Sequence, residues 1–357
     1  MAAFNITILN DPEYYKRLFI LDRLLHVNGI FAAYFLSVAL ILGIVWNLLI
    51  IFIFSRESGS RGVSDSLRIY YLALAFDDLL RILEVHASAF LSDGLTTMTN
   101  GAFSYGWGEL TNLTCKIKSY IYFFVSIFSN CLRICLSSER LIALYFPFHM
   151  RKWATKRNAI RSTLIVLIFS GSTAIPAFFV SELVNFEKAG LIHGTFCLSA
   201  FVGGKKEILW IHLFATISSA FIYPNCILLI STAAILIKLR IISHNRMRLS
   251  SGYLCKEQNN NTNSKREISA ALTVIVILVV HLAFNVPRGT LLAIYSLVAN
   301  FHYMDIIMEL IIYKSASLWE RIMIFERCWN FWLYTYRIPS FRKELKKIIC
   351  IRIRAST

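Results

Sequence analysis

A chain of 357 residues, 57% of them apolar and with a mean hydropathy of +0.58, is too hydrophobic for one soluble core. The net charge of +16 resembles that of a nucleic-acid binder, but 23 of the 37 Lys and Arg residues fall in four places: 55–68, 140–161, 238–266 and 337 onward. In a chain that crosses a bilayer these become alternate loops plus the tail, so the basic charge places them in the cytoplasm, attracts anionic membrane lipid and argues against nucleic acid as a partner.

Residues 1–28 read as a short polar extracellular tail with a glycosylation sequon at Asn5-Ile6-Thr7. They lack a basic start followed by an apolar core, so no cleavable signal peptide is expected and the first span inserts the chain. Val27 to Ser55 carries no acidic or basic residue. At about 1.5 Å per residue that is enough to cross a hydrocarbon layer of roughly 30 Å. Ile69 to Leu91 is a weaker span, because it contains Asp77, Asp78, Arg81 and Glu84. After a second sequon, Asn112-Leu113-Thr114, a third span opens at Cys115 and closes on Glu139-Arg140, 25 residues from the cysteine to the arginine.

Ser162 to Ser181 carries no charge, while Ile208 to Ile237 and Ile268 to Pro287 are interrupted only by His212 and by His281. Between them, 243–266 is rich in Asn, Ser and charge without apolar periodicity, so a flexible loop is expected, with a third sequon, Asn260-Asn261-Thr262, left unmodified inside the cell. The last span, after Tyr303, contains Glu320, Arg321, Glu326 and Arg327. A basic amphipathic stretch, Ser340 to Ile349, then leads to Cys350, a candidate palmitoylation site. The expected fold is an all-α membrane protein: a seven-transmembrane helix bundle over 29–336, then a short amphipathic eighth helix and cytoplasmic tail over 337–357. No internal repeat is visible.

Ionisable residues at membrane depth are costly and usually functional. At about 100° per residue, Ser126, Ser129, Arg133 and Arg140 share one face of the third span, and Glu320, Arg327 and Tyr334 one face of the seventh. Nearer the outside, Arg81, Glu84, Arg288 and Glu320 are candidates to line a cavity of mixed charge, with Tyr122 seven residues past Cys115. The alternative is that these charges pair with one another and only hold helices together. Cys131, Cys135, Cys226 and Cys328 lie in spans and read as small apolar packers. The histidines are scattered, with no metal-ligand spacing and no nucleophile and base in order, so neither an enzyme, a metal site nor a cofactor is expected.

Taken in order, the marks resemble the rhodopsin-like (class A) G-protein-coupled receptors from Asn47 to Phe341, with a flavour of the invertebrate FMRFamide-type neuropeptide receptors. Asn47 matches the first-span asparagine, though Trp46 replaces the usual glycine. Leu74-Ala75-Phe76-Asp77-Asp78 matches Leu-Ala-x-x-Asp, Glu139-Arg140-Leu141 stands for Asp/Glu-Arg-Tyr with Pro147 beyond it, and Phe221-Ile222-Tyr223-Pro224 matches Phe-x-x-Pro. Asn330-Phe331-Trp332-Leu333-Tyr334 stands for Asn-Pro-x-x-Tyr, and Phe341 for the aromatic of the eighth helix.

The resemblance implies a disulfide from Cys115 to Cys197, and coupling to heterotrimeric G proteins through Arg140, locked by Glu139 and by Glu267 at the base of the sixth span. It also implies an activation core containing Asn47, Asp78, Ser129, Pro224, Pro287, Asn330 and Tyr334. In the family, the aspartate matching Asp78 commonly holds a sodium ion with polar partners. Here Glu326 and Arg327 replace two small polar residues, and the expectation is that Arg327 or Arg133 takes the cation's place. Other departures are Phe284-Asn285-Val286-Pro287 for Cys-Trp-x-Pro, His281 for an aromatic, Thr232 for a tyrosine, and no tryptophan near Val166. The leading function is a plasma-membrane receptor for an extracellular ligand, a neuropeptide. The alternatives are a chemosensory receptor for small molecules and, from another class, an ion- or proton-coupled transporter using Asp78, Arg133, Glu326 and Arg327 as a relay.

Overall fold

The computed structural model describes residues 12–56, 63–103, 105–106, 110–146, 148, 153–188, 192–199, 211–250, 258–301 and 306–355. The bundle consists of α1 (Pro12–Ser55), α2 (65–98), α3 (Asn112–Tyr145), α4 (Lys156–Val180), α5 (212–250), α6 (Gln258–Phe301) and α7 (306–337, interrupted at Met323). A further helix, α8 (Pro339–Ala355), packs beneath α1 and α7. Five of these, α1 and α3 to α6, are apolar and long enough to cross a bilayer on composition alone. The other two, α2 and α7, carry the ionisable residues, and they turn them inward: Asp77, Asp78, Arg81, Glu84, Glu320, Arg321, Glu326 and Arg327 are all buried. Large apolar side chains instead cover the outer surface, as Ile165 and Ile168 do on α4.

Helix starts follow short polar side chains that satisfy otherwise unpaired amides. Ser64 Oγ accepts from Leu67 N at 3.4 Å, and Thr155 Oγ1 from Asn158 N at 3.3 Å. Thr111 and Thr114 cap α3 reciprocally, each hydroxyl accepting from the other's backbone amide. The only strands among the described residues form a hairpin between α4 and α5. Its strands β1 (Ser181–Lys188) and β2 (Ile192–Ser199) pair antiparallel with Leu183 opposite Cys197. Cys197 is bonded to Cys115 at the top of α3, with 5.3 Å between their Cα atoms, so β2 is tied across the mouth of the bundle. Asn112 Oδ1 accepts from Leu183 N at 3.2 Å beside it.

Two segments differ from the sequence expectation. The first helix begins at Pro12, so 12–28 is a helical extension rather than a tail; Leu21 and Asn28 are buried, and Asn28 Nδ2 donates to Lys314 O on α7 at 3.2 Å. The region 243–266 is helical at both ends, since α5 runs to Ser250 and α6 begins at Gln258. A helix that projects past the bilayer into water buries no stripe, so apolar periodicity is lost while helical backbone persists.

The prolines shape the interior. Pro224 has no N–H to offer Ala220 O four residues back, the segment His212–Ile222 ahead of it is wound wide as a π-helix, and the freed carbonyl accepts from Asn130 Nδ2 on α3 at 2.6 Å. Pro287 lies inside α6, and one turn before it Phe284 O accepts from Trp319 Nε1 at 2.6 Å. Where α1, α2 and α7 meet, a Cβ on Gly43 would sit 2.9 Å from Ile82 Cδ1 and 3.3 Å from Cys328 Sγ, so even alanine there would require the Ile82 side chain to shift.

Two departures from the family pattern compensate one another. Trp46, for glycine, stacks on Phe331, for proline, with ring centroids 5.5 Å apart and planes 4° from parallel. A double-mutant cycle between Trp46→Ala and Phe331→Ala, read by thermal unfolding of purified protein, is expected to give a coupling of about 0.5–1.5 kcal/mol. Additive losses would mean that the two rings only fill space. Below them Phe54, Tyr71, Tyr334 and Phe341 form an aromatic cluster, Tyr71 and Tyr334 closest at 4.8 Å, which seats α8 against the bundle.

Candidate functional site

The outer part of the bundle interior holds the charged residues singled out from sequence. Arg288 on α6 pairs through Nε with Glu320 Oε2 on α7, and its Nη2 donates to Tyr122 Oη at 2.9 Å and to Ser126 Oγ at 3.2 Å. Arg81 on α2 donates to Ser126 Oγ at 2.6 Å and lies 3.8 Å from Glu320 Oε1. Tyr122 Oη in turn donates to Glu320 Oε2 at 3.2 Å, and both guanidiniums lie over the Tyr122 ring, at 5.4 and 5.3 Å. Two cations therefore share one carboxylate. Arg81 Nε and Glu84 Oε2, both buried, have no hydrogen-bond partner among the described residues, so the cluster keeps donor and acceptor capacity in reserve.

Deeper in the bundle is a second cluster. Arg327 Nη1 donates to Asp78 Oδ1 at 2.8 Å, and Asn330 Nδ2 donates to Asp78 Oδ2 at 2.8 Å. Arg133 Nη2 donates to Glu326 Oε1 at 2.8 Å and lies 3.8 Å from Asp78 Oδ1, while its Nη1 donates to the hydroxyl of Ser129. Asp77 Oδ2 stands 3.9 Å from Arg327 and 4.0 Å from Arg133. Asn47 Nδ2 donates to Arg327 O at 3.3 Å, which fixes α1 to the same turn of α7.

These residues do not fit a bound sodium ion. Both oxygens of Asp78 already accept from donors, and the Ser129 hydroxyl meets two guanidiniums, Arg133 and Arg327 at 3.3 Å. A hard cation needs that same set of oxygens, and the Arg327 guanidinium holds it from within the chain.

Between the clusters runs a bridge that sequence reasoning missed. Arg288 Nη1 donates to Asn285 Oδ1 at 3.3 Å, and Asn285 Nδ2 donates to Asn130 Oδ1 at 3.3 Å and to Asn225 Oδ1 at 2.8 Å. His281 Nε2 faces Asn130 Oδ1 at 2.7 Å, and its Nδ1 faces Glu326 Oε1 at 2.8 Å. The path thus runs unbroken from Glu320 through Arg288, two asparagines and a histidine to Glu326 and Asp78. The signal for it was present: Asn130 stands four residues after Ser126 and three before Arg133, on the polar face of α3. Asn285 and His281 read singly as lost motif residues, whereas in space they form a hydrogen-bonded relay with Asn130.

At the C-terminal end of α3, Arg140 is buried and its Nη2 donates to Glu139 Oε1 at 2.8 Å, which also accepts from Ser66 Oγ of α2 at 2.8 Å. The expected partner Glu267 lies in α6, with its side chain outside the described residues, as is that of Cys350; Asn5 lies outside them altogether. Asn112 is exposed at the start of α3. Tyr334 packs through its ring in the aromatic cluster beneath Asp78.

The sequence model for "7 transmembrane receptor (rhodopsin family)" matches residues 46–334. The chain is similar to melanin-concentrating hormone receptor 2 of Macaca fascicularis and of Homo sapiens, in each case 28% identical over 198 residues, which is 54% of this chain and 51% of the relative. It is also similar to lysophosphatidic acid receptor 6 of Homo sapiens, 30% identical over 148 residues, or 41% of this chain and 38% of that receptor. The matches span about half the length of the first relatives, and less of the last.

Proposed function

Because the chain belongs to the rhodopsin family of seven-transmembrane receptors, we propose that it binds an extracellular ligand, a neuropeptide, at the Arg81–Tyr122–Arg288–Glu320 cluster and activates heterotrimeric G proteins from the cytoplasmic end of α3. The observation that carries this reading is the continuous polar path from Glu320 and Arg288 to Asp78 and Glu326, on whose α3 face Arg140 also lies. A ligand that competes for Arg288 or Glu320 changes what Asn285 can accept, and so biases the packing of α6 against α3 and α7. A peptide suits a cluster offering both guanidinium and carboxylate groups, since it brings carboxylate or amide oxygens together with cationic side chains. Of the relatives, two are named for a hormone and one for lysophosphatidic acid, so an acidic small molecule is the competing ligand class.

In this reading the protein sits in the plasma membrane with α1 entering from outside, glycan on Asn5 and Asn112, lipid on Cys350, and the basic loops and α8 against the inner leaflet. The test is a dose-dependent G-protein response of cells expressing the chain to a peptide library. Arg140→Ala is expected to abolish the response while leaving peptide binding within a few-fold of wild type. Glu267→Ala is expected to raise basal signalling, and a fall would count against a lock between α3 and α6. A response only to lipids or volatile small molecules would transfer the assignment to a chemosensory receptor.

A further inference from the structure

The bridge has a direction, and that direction requires a proton. A guanidinium only donates, so Asn285 must turn Oδ1 to Arg288 and its Nδ2 to Asn130 Oδ1. Asn130 Nδ2 points the other way and donates to the carbonyl of Ala220, which only accepts, so the orientation of both amides is determined from each end. His281 Nε2 therefore faces an acceptor 2.7 Å away and must carry a hydrogen. Its other nitrogen, Nδ1, is 2.8 Å from Glu326 Oε1, an oxygen that already accepts from Arg133. A neutral imidazole with hydrogen on Nε2 would turn a lone pair on that carboxylate.

We infer that His281 and Glu326 hold one bound proton between them, as imidazolium with carboxylate or as imidazole with carboxylic acid, and that this proton is a constituent of the inner cluster. Charge balance gives an independent argument. The groups facing the pair are Asp77 and Asp78 from α2, Arg133 from α3 and Arg327 from α7; with Glu326 they make three carboxylates against two guanidiniums, all buried. One additional proton brings the set to neutrality, the state in which charge is least costly at membrane depth.

The proton also links the two clusters. Without it a neutral His281 satisfies only one neighbour: hydrogen on Nε2 keeps Asn130 but turns a lone pair on Glu326, and hydrogen on Nδ1 keeps Glu326 but turns a lone pair on Asn130 Oδ1, so the contact that joins the Arg288 path to the inner cluster depends on the proton. This consequence rests on the receptor reading; the presence of the proton does not.

The test is spectroscopic and uses the full chain, purified in detergent with isotope-labelled histidine, and His281 assigned by comparison with His281→Gln. The expected result is either a doubly protonated His281 ring by nitrogen NMR, or an infrared carboxylic-acid band that disappears in Glu326→Gln. A neutral His281 beside an ionised Glu326 overturns the inference, and so does an acid band lost in Asp77→Asn while His281 is neutral. In a second arm, basal nucleotide exchange on purified G protein is measured against pH. Wild type is expected to lose its basal level as the proton leaves at alkaline pH, whereas Glu326→Gln, which keeps neutrality, gives a flat profile; identical profiles for the two overturn the functional link. If no G protein responds at any pH, the receptor reading fails while the spectroscopic result stands.

Discussion

Arg327→Leu is expected to destabilise the protein by about 3–5 kcal/mol, the usual cost of removing one partner from a buried ion pair. The wild-type guanidinium is 2.8 Å from Asp78, 3.9 Å from Asp77 and, through Nη2, 3.8 Å from Glu326. Leucine fills much of the volume but leaves the three buried carboxyl groups with Arg133 as the one remaining guanidinium of the cluster. Surface expression should collapse, and the thermal midpoint of the remaining protein should fall sharply. The double variant Arg327→Leu/Asp78→Asn removes one of the stranded charges while Asn330 keeps an oxygen to bond, so it is expected to recover about half of the loss or more. A single variant as stable as wild type, or a double variant no better than the single, would mean that the pair is incidental.

Cys115→Ser is the second large effect. The bond closes a loop of 82 residues, and on the chain-entropy account a crosslink of that span contributes on the order of 4 kcal/mol. Its loss here acts locally, because β2 is bonded to α3 at Cys115, with a hydrogen bond from Leu183 of β1 to Asn112 beside it. The hairpin should detach from the mouth of the bundle while the buried clusters on α2, α3, α6 and α7 keep their partners. The expected outcome is a reduced thermal midpoint with a ligand response lost before basal G-protein activity, read on the same purified preparation. Cys197→Ser should match it, and the double variant should be no worse than either single one. Two unequal singles, or an additive double, would contradict a shared bond.

Much of the architecture was legible because membrane insertion simplifies the physical problem. Four long apolar runs, two of them interrupted only by a histidine, identify α1, α4, α5 and α6, and polar residues at 3.6-residue spacing give the inward faces of α3 and α7. Asp78, Ser129, Arg133, Glu326 and Arg327 converge as those faces require. Partner choice was less legible: Arg327 and Arg133 were equal candidates for Asp78, and only distance separates the pair at 2.8 Å from the one at 3.8 Å. The bridge through Asn130, Asn285 and His281 was missed for another reason. Asn285 and His281 each stand alone as a departure from an aromatic of the family pattern, and a hydrogen bond between residues 151 or 155 positions apart leaves no local pattern. The same holds for Trp46 and Phe331, two departures that make sense only when stacked. Helical residues 12–28 went unread because a helix that leaves the bilayer loses the apolar signal by which it was being followed.

A guanidinium carried by the chain, that of Arg327, stands at Asp78 where the family resemblance implies a sodium ion, and this substitution is the centre of the inner cluster. It is tested by titrating the thermal midpoint of purified wild-type protein with sodium chloride against N-methylglucamine chloride at matched ionic strength. The prediction is two superimposable curves, because both oxygens of Asp78 are already taken by Arg327 and Asn330. A saturable stabilisation specific to sodium, present in wild type and absent in Asp78→Asn, would contradict it.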